Sequence, residues 1–137
     1  MFYIGNHKDR IVSFTIKKEI ECRTSSIAEN QFNSLTELQE KKNTFGEICI
    51  PNFTYGKNDN FVWYESDYIK GRIIKPEDMK IVWKECVLRE DSFTLSNYDR
   101  TNYIKCGESS KIYFIDLNDC RHMTIEERMA SWKKAGY

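Results

Sequence analysis

Met79, Val82, Trp83, Cys86 and Val87 recur at i, i+3, i+4, i+7 and i+8, so this stretch predicts a helix with one apolar face that must be covered. Pro76 stands at or near its first position, and Glu77 and Asp78 fill a first turn that favours negative charge. The chain supplies strands on both sides of it. In residues 10–18, Val12, Phe14 and Ile16 alternate with Ser13, Thr15 and Lys17, the pattern of a half-buried strand that sets Lys17 on the face opposite the apolar set. Phe2–Ile4 reads as a shorter strand, separated from it by the turn-rich 5–9. Residues 48–55 and 61–69 read as a pair joined at 56–60, and 102–106 and 111–116 as a second pair joined at 107–110. Residues 90–101 read as a polar loop. A helix from Ser25 or Ser26 to about Lys42 carries Ile27, Phe32, Leu35 and Leu38, and a short last helix opens on the Thr124–Glu127 capping-box pair. The order β, β, α, β, β, α, β, β, α predicts an α+β fold: a four-stranded antiparallel sheet with one helix, then a helix, a hairpin and a short helix. One domain over 1–137 is expected, with halves 1–70 and 71–137 meeting at a hinge near Gly71–Lys75.

Composition narrows the function classes. The 137 residues are 40% hydrophobic and 14% aromatic, enough for a packed core rather than a disordered chain. Lysine and arginine total 21, equal to aspartate and glutamate, so no global field draws the chain to nucleic acid or to a membrane surface. No apolar run approaches the roughly 18 residues that span a bilayer, and no signal peptide is read at the N-terminus. The five cysteines include no CxxC pair, which argues against a zinc site, and Cys49, Cys86 and Cys106 read as buried reduced thiols. A cytoplasmic setting is expected.

Phe14-Thr15-Ile16-Lys17, the helix segment Gln31-Phe32-Asn33-Ser34-Leu35-Thr36-Glu37-Leu38, the strand Phe61–Lys70 and the hairpin from Asn102 to Asp116 follow one another at spacings that resemble a truncated protein-kinase-like domain, atypical or pseudokinase in type. In that superfamily a strand lysine pairs with a helix glutamate and grips nucleotide phosphates. The resemblance puts Lys17 in the lysine's place and Gln31 in the glutamate's, with Glu29 about 200° away around the helix. It makes Asp67, Tyr68 and Ile69 the hinge whose backbone meets the adenine edge. It assigns Asn102, before one strand, and Asp116, after the next, to a magnesium ion, with Leu117 and Asn118 replacing the Phe and Gly of the Asp-Phe-Gly motif. The aspartate expected five residues before Asn102 is Asn97, and Asp99 is the nearest acidic substitute for orienting an acceptor hydroxyl. Taken singly, Lys17 also suits an ordinary surface lysine and Asp116 a turn cap.

The resemblance implies an ATP-dependent phosphotransferase with Mg²⁺ and ATP as its cofactors. Its alternative is a catalytically impaired pseudokinase that serves as a nucleotide- or protein-binding regulatory module, with a protein partner or a second copy as its ligand. Sixteen residues precede Lys17, so phosphate cover is expected to be reduced or to come from Gly5 and Asn6. The 21 residues after Asp116 leave no room for the helices that seat a peptide, which favours a small-molecule acceptor.

Overall fold

The computed structural model describes residues 14–137 and the backbone of the strand Phe2–Ile4; the strand positions 10–13, the turn 5–9 and the phosphate-cover candidates Gly5 and Asn6 lie outside the described residues. The architecture is α+β, and the chain divides into two units, residues 1–40 with 51–69 and residues 41–50 with 70–137.

The first unit is a four-stranded antiparallel sheet in the order β1-β2-β5-β4, formed by β1 (Phe2–Ile4), β2 (Thr15–Glu21), β5 (Phe61–Asp67) and β4 (Phe53–Asn58). The strand expected over 10–18 continues instead to Glu21, and its register sets Lys17 opposite Glu65 and Lys18 opposite Tyr64. Helix α1 (Ser25–Lys41) covers one face of this sheet. Tyr55 donates its hydroxyl to Thr36 at 2.9 Å, the Phe32 and Tyr55 rings lie 5.2 Å apart, and Gln39 donates its amide to the Phe53 carbonyl at 2.8 Å. Val62, Tyr64, Leu35 and Leu38 are buried between helix and strands, each contributing about 1.5–3 kcal/mol for the aliphatic ones. Ile27, expected in the helix stripe, is 41% exposed, and Ala28, one position on, is buried in its stead. The stripe then runs 28, 35, 38, which keeps the small residue where helix and sheet approach.

The second unit is built from short pieces. Ile48–Cys49 (β3) runs parallel to Ile112–Phe114 (β9), and a mixed sheet continues through Tyr103–Cys106 (β8) to Gly71–Ile73 (β6) in the order β3-β9-β8-β6. The single strand expected over 48–55 is therefore two strands in separate sheets. Pro51, which has no amide hydrogen to give a ladder, stands at the break. Gly71, expected to begin a hinge, instead opens β6 and pairs with Cys106. The expected polar loop over 90–101 contains a fully buried strand, Phe93–Leu95 (β7), paired antiparallel with Cys120–His122 (β10). The apolar stripe at 79–87 forms as expected, with Met79, Val82, Cys86 and Val87 buried. The helix α2 (Met79–Val82) is short, preceded by a 3₁₀ turn at Pro76–Asp78 and continued by a π turn through Trp83–Val87. The capping box at Thr124 and Glu127 is present and starts α3 (Ile125–Lys134).

Side chains tie these pieces together through the backbone. Arg128 of α3 is 1% exposed and donates to the carbonyls of Val87, Arg89 and Asp91 at 3.1, 2.5 and 2.6 Å. Val87 ends the π turn and Arg89 and Asp91 follow in the loop after it, so the guanidinium supplies donors to carbonyls that no helix satisfies. Arg89 donates to the carbonyls of Phe93 and Thr44 and lies 3.9 Å over the Phe45 ring. Glu85 accepts from the Glu47 amide at 2.7 Å. These contacts bring 41–50 into the second unit. Gly46, at φ +60, suits the left-handed conformation there, and a Cβ would fall 2.1 Å from the Glu85 carboxylate, which would have to move aside. All five cysteines are free thiols; Cys22, Cys86 and Cys120 are buried, whereas Cys49 and Cys106, expected to be buried, are half-buried. Burial pushes the Cys86 thiol up to about 12, so it stays protonated and behaves as a small apolar side chain.

Candidate functional site

The residues expected to carry chemistry fall in both units: Lys17, Asp67, Tyr68 and Ile69 in the first, Asp99, Asn102 and Asp116 in the second.

In the first unit, the two-residue period of β2 decides what Lys17 can reach. Its row in the sheet contains Glu65 and Thr54, and its ammonium lies 4.9 Å over the Trp63 ring. The next row, Lys18 with Tyr64 and Tyr55, is the one that α1 covers. The helix-facing lysine is thus Lys18, and Lys17 stands on the far face with Thr15, whose hydroxyl donates to Glu65 at 2.5 Å. On α1, Gln31 has a buried amide oxygen with no hydrogen-bond donor. At the expected hinge, the Asp67 amide donates to the Asn52 carbonyl at 3.0 Å and the Tyr68 amide to the Phe14 carbonyl at 2.8 Å. Both are engaged in holding strand ends together, so adenine recognition there would fall to other backbone groups. The Tyr68 side chain is 46% exposed.

In the second unit the expected hairpin forms, with β8 and β9 paired antiparallel. Tyr103 pairs with Phe114, and the Ile115 amide donates to the Asn102 carbonyl at 3.0 Å. Asn102 and Asp116 therefore reach the same open end of the hairpin, one residue out of register. Both are half-buried, and both offer hard oxygen donors of the kind Mg²⁺ takes. The Asn102 side-chain amide nitrogen is directed to the Asp99 carbonyl at 3.4 Å, so only its side-chain oxygen could serve a cation. Among the described residues no group of three or more His, Cys, Asp or Glu side chains gathers as a metal cage, so any cation here relies on these two groups and on oxygens of its ligand.

Before Asn102 the chain makes two successive side-chain turns. Asn97 accepts the Asp99 amide at 2.9 Å, and Asp99 caps the 3₁₀ turn Arg100–Asn102 by accepting the Thr101 amide at 2.9 Å and its hydroxyl at 2.8 Å. The Thr101 hydrogen bonds hold the Asp99 carboxyl below the usual carboxylate range, so it is an anionic acceptor rather than a group poised to exchange protons at neutral pH. Tyr103, fully buried and with its phenol pushed well up by burial, donates to the Asn97 carbonyl at 2.7 Å and fixes this turn to the hairpin.

Asp119 joins this group, although nothing in its immediate sequence marks it. The Asn97 amide donates to its carboxylate at 2.8 Å, and the Ser96 amide to its carbonyl at 2.9 Å. Its position depends on the β7–β10 pairing, and that pairing joins two three-residue strands too short to show a period. Asn97, Asp99, Arg100, Asp119, Lys134 and Tyr137 line a polar cleft with a volume of about 550 Å³. His122 of β10 has Nδ1 2.6 Å from the Ser92 hydroxyl.

No known protein family matches the chain, and no curated protein sequence matches it. No helix among the described residues is long and apolar enough to cross a membrane.

Proposed function

We propose that this chain is a magnesium–nucleotide-binding domain of reduced kinase-like type that transfers phosphate from ATP to a small acceptor. The observation that carries the reading is the β8–β9 hairpin, which sets Asn102 and Asp116 at one end while the turn leading into it holds Asp99 at the polar cleft. Asn102 and Asp116 would hold Mg²⁺, whose bound form supplies charge neutralisation on the phosphates. Asp99 stays ionised and fixed, able to accept a hydrogen bond from an acceptor hydroxyl. Positioning of this kind carries most of the acceleration in phosphoryl transfer. The antiparallel sheet and single helix of the first unit also suit a nucleotide-binding lobe.

A second reading has its own support. Lys17 stands on the sheet face away from α1, and position 97 is an amide engaged in two hydrogen bonds. A regulatory module that binds nucleotide or a protein partner without turnover needs neither a lysine–glutamate pair nor a catalytic-loop carboxylate.

Thermal unfolding with and without Mg-ATP tests the nucleotide site. Ligand at 100 times its Kd adds about 2.7 kcal/mol, a shift of a few degrees for a domain of this size. The shift is expected in the wild type with magnesium and lost in Asp116→Ala. Turnover of ATP separates the two readings, and no shift at millimolar nucleotide rules out both nucleotide readings.

A further inference from the structure

The polar cleft is a different kind of surface from a phosphate site. Two of its lining groups are carboxylates, Asp99 and Asp119, which repel phosphate. Two are cations, Arg100 and Lys134, so formal charge cancels and neither a strong anion nor a strong cation is favoured. The Arg100 guanidinium is partly committed, donating to the Ile74 carbonyl at 2.7 Å. Ser96, Thr101 and Ser131 add hydroxyls to the lining. The carboxylates are held before any ligand arrives: Asp99 by Thr101, Asp119 by Asn97. At the edge, the Tyr137 ring lies 4.4 Å from Trp132, with its hydroxyl donating to the Tyr98 carbonyl at 3.0 Å, and the residue remains 44% exposed. Fixed acceptors, neutral balance, hydroxyl donors and one exposed aromatic face together suit a ring that bears several hydroxyls on one side and C–H groups on another. A volume of about 550 Å³ is within the range of small-ligand sites.

We propose that this cleft binds a small neutral polyhydroxylated ring, a sugar or cyclitol, with Asp99 and Asp119 accepting its hydroxyls and Tyr137 stacking on its C–H face. As the phosphate acceptor, this ligand rests on the reading above; as a bound ligand it does not, because the binding needs no nucleotide.

The test titrates the full chain with neutral hexoses and myo-inositol, first alone and then with Mg-ATP, following backbone amides by NMR. Saturable shifts are expected at 96–101, 119 and 131–137. Asp119→Asn, which is isosteric and retains an acceptor for Asn97, is expected to weaken binding about tenfold. Ala135→Trp, at an exposed position on the cleft wall, is expected to abolish binding while the spectrum stays folded. A glycan array distinguishes a free ring from the terminal residue of a glycan. No saturable shift with any neutral ring, an unaltered affinity in Asp119→Asn, or preferential binding of inorganic phosphate or of a diamine overturns the proposal. Ring binding without any nucleotide response leaves the cleft assignment standing and overturns the phosphotransfer reading; nucleotide binding without ring binding does the reverse.

Discussion

The two units hold their shape by different means. The first is held by periodicity: strands of six and seven residues pair in one antiparallel ladder, and α1 lays Ala28, Leu35 and Leu38 on the face that carries Val62 and Tyr64. The second has strands of two to four residues, single turns of 3₁₀ and π helix and the one longer helix α3, pinned by side chains that reach backbone carbonyls. Apolar burial is non-directional and tolerates adjustment, whereas a guanidinium shared among three carbonyls has one geometry. A unit of the second kind can hold several irregular turns side by side, and the candidate site is made of such turns.

The largest expected effect lies where this contrast is sharpest. Arg128→Met keeps the volume but leaves the carbonyls of Val87, Arg89 and Asp91 without their donor. Each buried unsatisfied group costs about 1–3 kcal/mol, offset in part by no longer burying a charge, so a loss of about 4 kcal/mol is expected in urea unfolding. Amide exchange should quicken first over 86–93. A loss below about 0.5 kcal/mol, the size of an ordinary surface change, would break the contrast. Leu35→Ala, the matching change in the first unit, should cost about 3 kcal/mol through lost burial and a cavity. Its faster exchange is expected in β2 and β5; quickening confined to the second unit would contradict the division.

The smallest effect is electrostatic. Asp91 is held below the usual carboxylate range, chiefly by its hydrogen bond with Lys41, 2.8 Å away, and then by the Phe93 amide. A depressed folded pKa gives stability that is complete above the unfolded value, about pH 4, and is lost as pH falls through the lower folded value. Asp91→Asn should therefore flatten the acid limb of the stability profile below about pH 4 and leave its shape at neutral pH unaltered. The carboxylate is 35% exposed, so the effect is small, and an acid limb identical in both proteins would remove Asp91 from the contacts that matter.

Legibility in the sequence follows the same divide. The α+β class, the four-stranded antiparallel sheet, the span of α1, the stripe at 79–87 and the Thr124 cap were readable, because period and capping chemistry are local. The break at Pro51, the buried strand Phe93–Leu95 and its partner at 120–122 were not, since three residues carry no period and their pairing is set by distant chain. At the site, the spacing of Asn102 and Asp116 about a hairpin was legible and its register is observed. The alternation in β2 already set Lys17 on the face away from the apolar set, as observed, whereas Asp119 depends on a pairing invisible in the sequence.

The central claim is that the hairpin end holds a nucleotide-bound divalent cation. Its most direct test replaces magnesium with paramagnetic Mn²⁺ in the presence of ATP and follows amide broadening. Selective broadening at 100–103 and 114–118, lost in the Asn102→Ala, Asp116→Ala double variant, is the predicted result. Broadening centred elsewhere, or unaltered in the double variant, would contradict it.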